Sequence, residues 1–455
     1  PAPNQTEQFP SGPNYFFGGN LNFRSDRGIA KFDHNFSESH RTSFRYSQLD
    51  DLIQQPLVYG NPGSPSTGPQ HQFSYTGLLD HTWVARPTLV VIGRLSLVRF
   101  GNNLVSHAAG FKFAEELGQP KWLQDRSDLV TFPTFGVGAT GIGPIGPPAV
   151  GNRTTNWNPS GSLTWVRASH NVKAGFDYRA NRWNQFMPQA PSGNYTFAAG
   201  STGGPDPDAV GRSGAALASF LLGTPASGSF ILSPRLSFQT VYAALFVQDD
   251  WRVSSRLTLN IGLRWDYEGP RTERFNRMNS LELGTKSPVT DAVNARYAPI
   301  LAQLKASNPA LAALLPPSLD LRGGLRFATA GDRSQMDPDW NNFGPRFGFA
   351  YQVRPEWMLR GGAGIFYAPQ SGDGISPGDV AQGYSATTNL AGFGADRRPL
   401  VTLSNPFPQG VVEPAGNAAG LATNVGGTIT SLLHNNRVGY VEQWNLNVQR
   451  SLGSR

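Results

Sequence analysis

Cysteine is absent from the 455 residues, which excludes a disulfide framework and a thiolate metal site and is compatible with export. Charge is sparse too, with Asp, Glu, Lys and Arg together at 15%. No apolar run reaches the length of about 18 residues that a helix needs to span a bilayer. If the chain is in a membrane, its backbone groups must therefore pair with one another in a sheet closed on itself. The 38 Lys and Arg give a net charge of +7, but they are spread along the chain without a dense run or a recognised motif, so no nucleic acid is expected as a partner. The start, Pro1-Ala2-Pro3-Asn4, carries no charged-then-apolar leader.

What is plentiful is glycine and proline, 52 and 36 residues, with aromatics at 11%. That balance disfavours disorder and favours an all-β chain with long loops. The stretch VYAALFVQDDWRVSSRLTLNIGLRWDY, residues 241–267, reads as one β-hairpin. From Leu257 on, Leu259, Ile261, Leu263, Trp265 and Tyr267 alternate with Thr258, Asn260, Gly262, Arg264 and Asp266. One side suits hydrocarbon and the other suits water. A run of about ten residues with aromatics at its ends fits a tilted strand crossing a bilayer. The first arm is apolar on both sides, so its register stays open.

The same architecture recurs. Residues 28–47 set Ala30, Phe32, Phe36, Phe44 and Tyr46 against Lys31, Asp33, Arg41 and Arg45 around a turn at residues 37–40. Residues 73–100 turn at Arg86-Pro87; their register is ambiguous, with Leu89, Val91, Leu95 and Leu97 chosen for the outer face. Residues 162–183 set Leu163 and Trp165, then Val172, Ala174, Phe176 and Tyr178, against Lys173, Gly175, Asp177 and Arg179, with a turn at residues 167–171. Residues 346–367 set Phe347, Phe349, Tyr351, Leu359, Ala363, Ile365 and Tyr367 against Arg346, Gly348, Ala350, Arg360, Gly362 and Gly364. A final arm at residues 440–452 alternates Trp444, Leu446 and Val448 with Gln443, Asn445 and Asn447. Eleven strands result. Turns within hairpins are short, while connections between them run to about 25 to 75 residues, as in barrels with short periplasmic turns and long outer loops. Two loops carry minor helices, at residues 215–222 and at 291–315, the latter broken into pieces by Pro299 and Pro309.

Signs of chemistry are weak. The glycines at 136, 138 and 141 spell G-x-G-x-x-G, but Gly143-Pro144-Ile145-Gly146-Pro147-Pro148 follows and no helix can start there to receive a pyrophosphate. The seven histidines, His34, His40, His71, His81, His107, His170 and His434, lack the spacing of a zinc site and read as polar turn residues. The acidic pairs Asp206/Asp208, Asp249/Asp250 and Asp337/Asp339 read as turn composition in preference to calcium ligands. No G-x-S-x-G elbow occurs. No catalytic, cofactor or metal site is expected, and the chain is not expected to be an enzyme. Trp251 and Trp357 at the turn ends, and Trp183, Trp265, Tyr267 and Tyr367 at the far ends, fit two interfacial girdles. Trp122, Trp157 and Trp340 are left for ligand contact.

At FVQDDWRVSSRLTLNIGLRWDYEGP, residues 246–270, the chain resembles the barrel of TonB-dependent receptors, and in particular the Oar-like branch common in Acidobacteria and Myxobacteria. KFDHNFSESHR, SHNVKAGFDYR, ASFLLGTP, NNFGPRFGFAY, LRGGAGIFY and YVEQWNLNVQR resemble that family in the same order. The resemblance implies an antiparallel transmembrane β-barrel in the outer membrane of a Gram-negative cell. It also implies a plug domain, a small β-sandwich extension and a TonB-contacting segment that are not visible before Pro1, so residues 1–455 are expected to be an internal part of the barrel. Arg179, Asn260, Arg264, Asp266, Arg346 and Arg360 are the candidates for the lumen. Leu259, Ile261, Leu263, Trp265, Tyr267, Phe347, Phe349 and Tyr351 are those for lipid and girdle. The expected partners are outer-membrane lipid, the TonB energy-coupling complex reached through the upstream part, and a large ligand. The alternative is a secreted or surface adhesion or binding protein whose hairpins build a sandwich or propeller. Single cysteines decide between the two faces. In membranes, water-soluble thiol reagents should modify positions 260 and 264 and spare 259 and 261; the opposite pattern would overturn the assignment.

Overall fold

A computed structural model of the chain describes residues 15–138, 140–144, 148–203, 214–334, 336–368, 379–394, 398–435 and 437–452. Asp206, Asp208, residues 1–4, and residues 139 and 145–147 in and after the glycine motif lie outside the described residues. In chain order, the hairpin β1 (Asn22–Asn35) and β2 (His40–Gln54) is followed by β3 (Gln70–Arg86) and β4 (Leu89–Val105). The small strands β5 (Thr134–Val137) and β6 (Thr140–Ile142) precede β7 (Ala149–Arg167) and β8 (His170–Phe186). Next come β9 (Asn194–Phe197), β10 (Ser227–Leu232), and the long pair β11 (Leu236–Arg252) and β12 (Leu257–Glu273). The chain continues through β13 (Asn279–Lys286), β14 (Arg322–Phe327), β15 (Phe343–Arg354), β16 (Trp357–Tyr367), β17 (Ala386–Ala391) and β18 (Tyr440–Arg450).

Eleven of these form one antiparallel sheet in the order β1-β2-β3-β4-β7-β8-β11-β12-β15-β16-β18, with β1 and β18 at its edges. This is a single continuous sheet, not the sandwich or propeller of the alternative. The strands of this sheet pair in chain order, five of the pairs through short turns at residues 36–39, 87–88, 168–169, 253–256 and 355–356. All five turns lie at one end. The connections at the other end span residues 55–69, 106–148, 187–235, 274–342 and 368–439. The first is shorter than expected, because the strands reach beyond the alternating runs visible in the sequence.

Directly opposed residues of an antiparallel pair project to the same side, so the registers carry one face across the sheet. Phe32 opposes Phe44, Phe44 opposes Leu79, and Leu79 opposes Leu95. Further along, Phe176 opposes Leu245, Leu245 opposes Trp265, Ile261 opposes Phe347, and Ala363 opposes Trp444. The two open registers are thereby assigned. Leu89, Val91, Leu95 and Leu97 lie on this apolar face, and so do Val241, Ala243, Leu245 and Val247, whereas Tyr242, Ala244 and Phe246 lie on the polar one. All eight residues from Leu259 to Tyr351 chosen for lipid share the apolar face, and the six chosen for the lumen share the other.

The apolar face is uncovered. Leu245 is 57% exposed, Phe347 49% and Ile261 47%, although all three lie in interior strands. The chain leaves 26941 Å² accessible, against roughly 17,000 Å² for a compact globule of its mass. An apolar band this wide is a membrane surface in a folded chain, since soluble monomers leave only isolated patches of a few hundred Å².

Several residues depart from expectation. Trp183 lies on the polar face against Phe238, at a ring distance of 5.3 Å, and not in a girdle. Trp157 sits inside β7 on the apolar face, opposite Leu97 and Ala180. Trp340 stacks on Tyr267 at 3.9 Å and its carbonyl accepts from Trp265 Nε1 at 2.8 Å, so it joins the outer girdle. Of the three tryptophans set aside for ligand, only Trp122 remains in a loop, on a short helix at Lys121–Arg126. Asp249 and Asp250 stand in β11 and not in a turn; Asp249 takes His170 at 2.6 Å on one face while Asp250 takes Asn260 on the other. Pro299 does not break its helix, α1 (Thr290–Ser307): it is exposed, and the carbonyl of Ala295 that it leaves without a donor is at an exposed position, so water can satisfy it. The break comes at Asn308, which caps the next turn by accepting from Leu311 N–H at 3.1 Å.

At the loop end, one residue organises the exit from β12. A bulge between Gln239 and Val241 sets two residues of β12, Pro270 and Arg271, against the single Thr240. Proline has no N–H to give a ladder and suits such a position. Above it, Glu273 turns to the polar face and is fully buried. Its carboxylate accepts from the N–H groups of Ser237 (3.1 Å), Phe275 (2.7 Å) and Arg277 (3.0 Å), and from Arg277 Nη2 at 3.2 Å. Glu273→Ala leaves three partly buried N–H groups without their acceptor and should cost about 2 kcal/mol locally. The expected readout is early proteolysis of residues 274–342 with unchanged heat-modifiability of the barrel on gels.

Candidate functional site

Two regions gather polar side chains, the polar face of the sheet and the assembly of loops at its open end. On the sheet, alternation forces every second side chain inward, and the cross-strand neighbours satisfy one another. Arg264 Nε donates to Asp266 Oδ1 at 2.8 Å and its Nη2 to the Tyr242 hydroxyl at 2.7 Å, while that hydroxyl donates to Asp266. The Arg179 guanidinium lies 4.9 Å from the Tyr242 ring and donates to Asp177 at 2.6 Å; Asn158 Nδ2 donates to the same carboxylate at 2.7 Å. This network links β7, β8, β11 and β12. Arg346 packs 4.7 Å from the Phe366 ring, and Asn260 joins Asp250, which also accepts from Gln248 at 3.2 Å. Between them Gly262, Gly348, Gly362 and Gly364 leave a trough of about 290 Å³. Arg360 shares the face opposite Ala350 and Asn447 without joining the network.

The loops are not mere decorations. Three of them pair into a second sheet, β17-β10-β9-β5-β6, around Phe135, Tyr195, Phe197, Phe230, Leu390 and Phe407. Burial pushes the Tyr195 phenol up, out of its ordinary range, so it stays neutral. The glycine motif falls in the β5–β6 hairpin of this sheet, and among the described residues no helix follows it before β7. A second core joins Leu236 and Phe238 at the foot of β11 to Met278, Ala328, Val380 and Ala381, with Trp183 and Tyr384 against it. Because Leu236, Phe238 and Trp183 belong to the polar face, the loops fold across that side of the sheet.

The two longest loops knit together here. Leu281 N–H donates to the Leu432 carbonyl at 2.7 Å, Asn279 Nδ2 to the Gln382 carbonyl at 2.8 Å, and the Ser280 hydroxyl meets His434 Nδ1 at 3.1 Å. Their junction forms an open hollow of about 440 Å³ lined by Glu282, Thr285, Arg326, Phe327, Asn417 and Leu421. Its opposite charges, amide and ring suit a polyhydroxylated or amide-bearing group. Sequence reasoning missed these residues because Arg326 and Asn417 meet only through the loop pairing. Partial burial also pushes the nearby Tyr384 phenol up.

The sequence model of the outer membrane beta barrel domain matches residues 1–455. The chain belongs to that family. Its place is therefore the outer membrane. No curated protein matches it. Among solved structures, the barrel is similar to the alcaligin outer membrane receptor of Bordetella pertussis, with 9% identity and a TM-score of 0.39 over 76% of this chain and 36% of that one. The ferric-catecholate import receptor of E. coli K12 has 9% identity and a TM-score of 0.37, covering 77% and 48%. The ferripyoverdine receptor of Pseudomonas aeruginosa has 11% identity and a TM-score of 0.37, covering 77% and 36%. The chain thus spans between about a third and a half of their lengths.

The loop junction depends on one close approach. Gly324, at φ +152°, passes so near that a Cβ there would meet the Leu421 carbonyl oxygen at 2.2 Å. Gly324→Ala should part the two loops, at about 1–3 kcal/mol. Hydrogen exchange of residues 417–425 should accelerate, while Gly284→Ala, where a Cβ meets only ordinary contact, leaves it unchanged.

Proposed function

We propose that this chain is the wall of a TonB-dependent transporter that moves a large ligand, a glycan, peptide or protein, across the outer membrane. Its apolar face, with Leu259, Ile261, Leu263, Trp265, Tyr267, Phe347, Phe349 and Tyr351, meets lipid. Its polar face, with Arg179, Asn260, Arg264, Asp266, Arg346 and Arg360, lines the lumen. Transport and not catalysis is the task, and energy comes from the TonB complex of the inner membrane through a part of the protein upstream of this chain. The observation that carries the reading is the separation of two chemically distinct faces over eleven strands, with the long connections at one end folded toward the polar side. The motif order given above supports the TonB-dependent branch.

The ligand is first met by the loops at residues 269–342 and 368–439. Their support is the junction hollow, which accepts one unit of a larger molecule, and the general tendency of binding groups to sit on loops held by a rigid scaffold. Ferric catecholate or ferripyoverdine, named for the receptors above, would need less surface. Deleting either loop in the complete protein should lower ligand affinity at least tenfold while the barrel still inserts; undiminished affinity in both deletions would overturn the assignment.

A further inference from the structure

Three arginines of the polar face have carboxylate partners: Arg94 with Asp80, Arg179 with Asp177, Arg264 with Asp266. On the apolar side, three arginines without such a partner cluster on adjacent strands, Arg99, Arg153 and Arg182. Arg99 of β4 and Arg182 of β8 oppose Thr155 of β7 from its two sides. Arg153 stands two residues along β7 from Thr155, on the same face and diagonal to both. Diagonal neighbours in a sheet lie about 7–8 Å apart, so the three guanidinium groups form one patch.

All three are exposed, and none makes an ion pair among the described residues. Their nearest companions on that face are donors and amides: Thr155, Asn184 opposite Arg153, and Gln239, which accepts from Arg182 at 3.2 Å. The nearest acids on the same face are engaged, Asp50 by His71 at 2.9 Å and Asp26 by Arg24 at 2.7 Å. The patch has therefore no anion of its own.

Its height decides what anion it meets. On β7 the outward residues run from Arg167 and Trp165 at the turn end, through Leu163, to Trp157, and Thr155 follows directly. At about 3.4 Å per residue and a strand tilt of about 40°, the distance from Arg167 to Thr155 rises by roughly 30 Å, the thickness of the hydrocarbon layer. The patch stands where the acyl chains end, on the side of the long loops, facing away from the lumen.

We propose that Arg99, Arg153 and Arg182 bind the phosphorylated sugar headgroup of an outer-leaflet glycolipid of the lipid A type. Three guanidinium groups over a ring of hydroxyl and amide donors match a phosphate-bearing sugar, and Leu97 and Trp157 below them receive its acyl chains. The site is independent of the transported ligand.

The test uses the full chain in detergent micelles, with native mass spectrometry counting retained lipid. Bisphosphorylated lipid A should stay bound at least tenfold more tightly than its dephosphorylated form, than phosphatidylglycerol and than inorganic phosphate. The triple variant Arg99→Gln, Arg153→Gln, Arg182→Gln should lose that preference, the triple Lys variant should retain most of it, and Lys121→Gln, on a loop helix, should be unaffected. Circular dichroism and heat-modifiability verify that each variant folds. Equal retention of phosphorylated and dephosphorylated lipid, equal retention of phosphatidylglycerol, or an unchanged preference in the folded Gln triple would each overturn the proposal.

Discussion

The constraint on which everything rests is the saturation of backbone hydrogen bonds by neighbours in sequence. A strand in hydrocarbon has no water to satisfy its N–H and C=O groups, so each of the eleven strands takes a partner on either side wherever the sheet continues. Short turns fix the partner within each hairpin, the hairpins join in chain order, and antiparallel pairing preserves parity from one strand to the next. From that preserved parity follow the apolar face, the polar network and the trough between them. None of the side-chain pairs on the polar face is strong alone, since partly exposed ion pairs contribute little; their effect is to hold Arg179, Tyr242 and Arg264 in one arrangement across four strands.

The loop end follows a different logic. There the chain has water, and stability comes from burying aromatics such as Phe135, Tyr195 and Phe197 between strands contributed by separate connections. Residues as distant as Ser227 and Ala391 become direct neighbours. The result is a body with its own core, fastened to the sheet through Leu236, Phe238 and Trp183, which face the side otherwise given to polar groups. A rigid mouth of this kind presents a defined surface to the outside, where loose connections would present an average of many.

The alternation of Leu259 to Tyr267 with Asn260 to Asp266 was legible because period two is a local property that needs no partner. The same holds for Phe347, Phe349 and Tyr351. Where both sides of an arm were apolar, as from Val241 to Val247, only the pairing with Ala180, Tyr178 and Phe176 assigned a face. The loop sheet, the hollow between Arg326 and Asn417, and the patch of Arg99, Arg153 and Arg182 all depend on contacts between distant segments, so nothing in a local window announces them. Trp183 and Trp340 were misplaced for the same reason: their position along a strand was readable, but the face one of them takes and the ring the other covers were not. Pro299 shows the opposite failure, a local rule overridden because water stands ready at an exposed turn.

The extra residue in the bulge at Pro270-Arg271 makes facing a matter of counting. Without it, strict alternation would put Glu273 on the side of Trp265 and Tyr267, toward lipid; with it, the carboxylate points over the mouth and draws the following loop after it. Connections of this barrel are therefore free to lengthen or shorten beyond Arg277 with little consequence for the wall. A gain or loss of a single residue between Gly269 and Glu273 is another matter, because it would swing the whole connection from the inside of the rim to the outside.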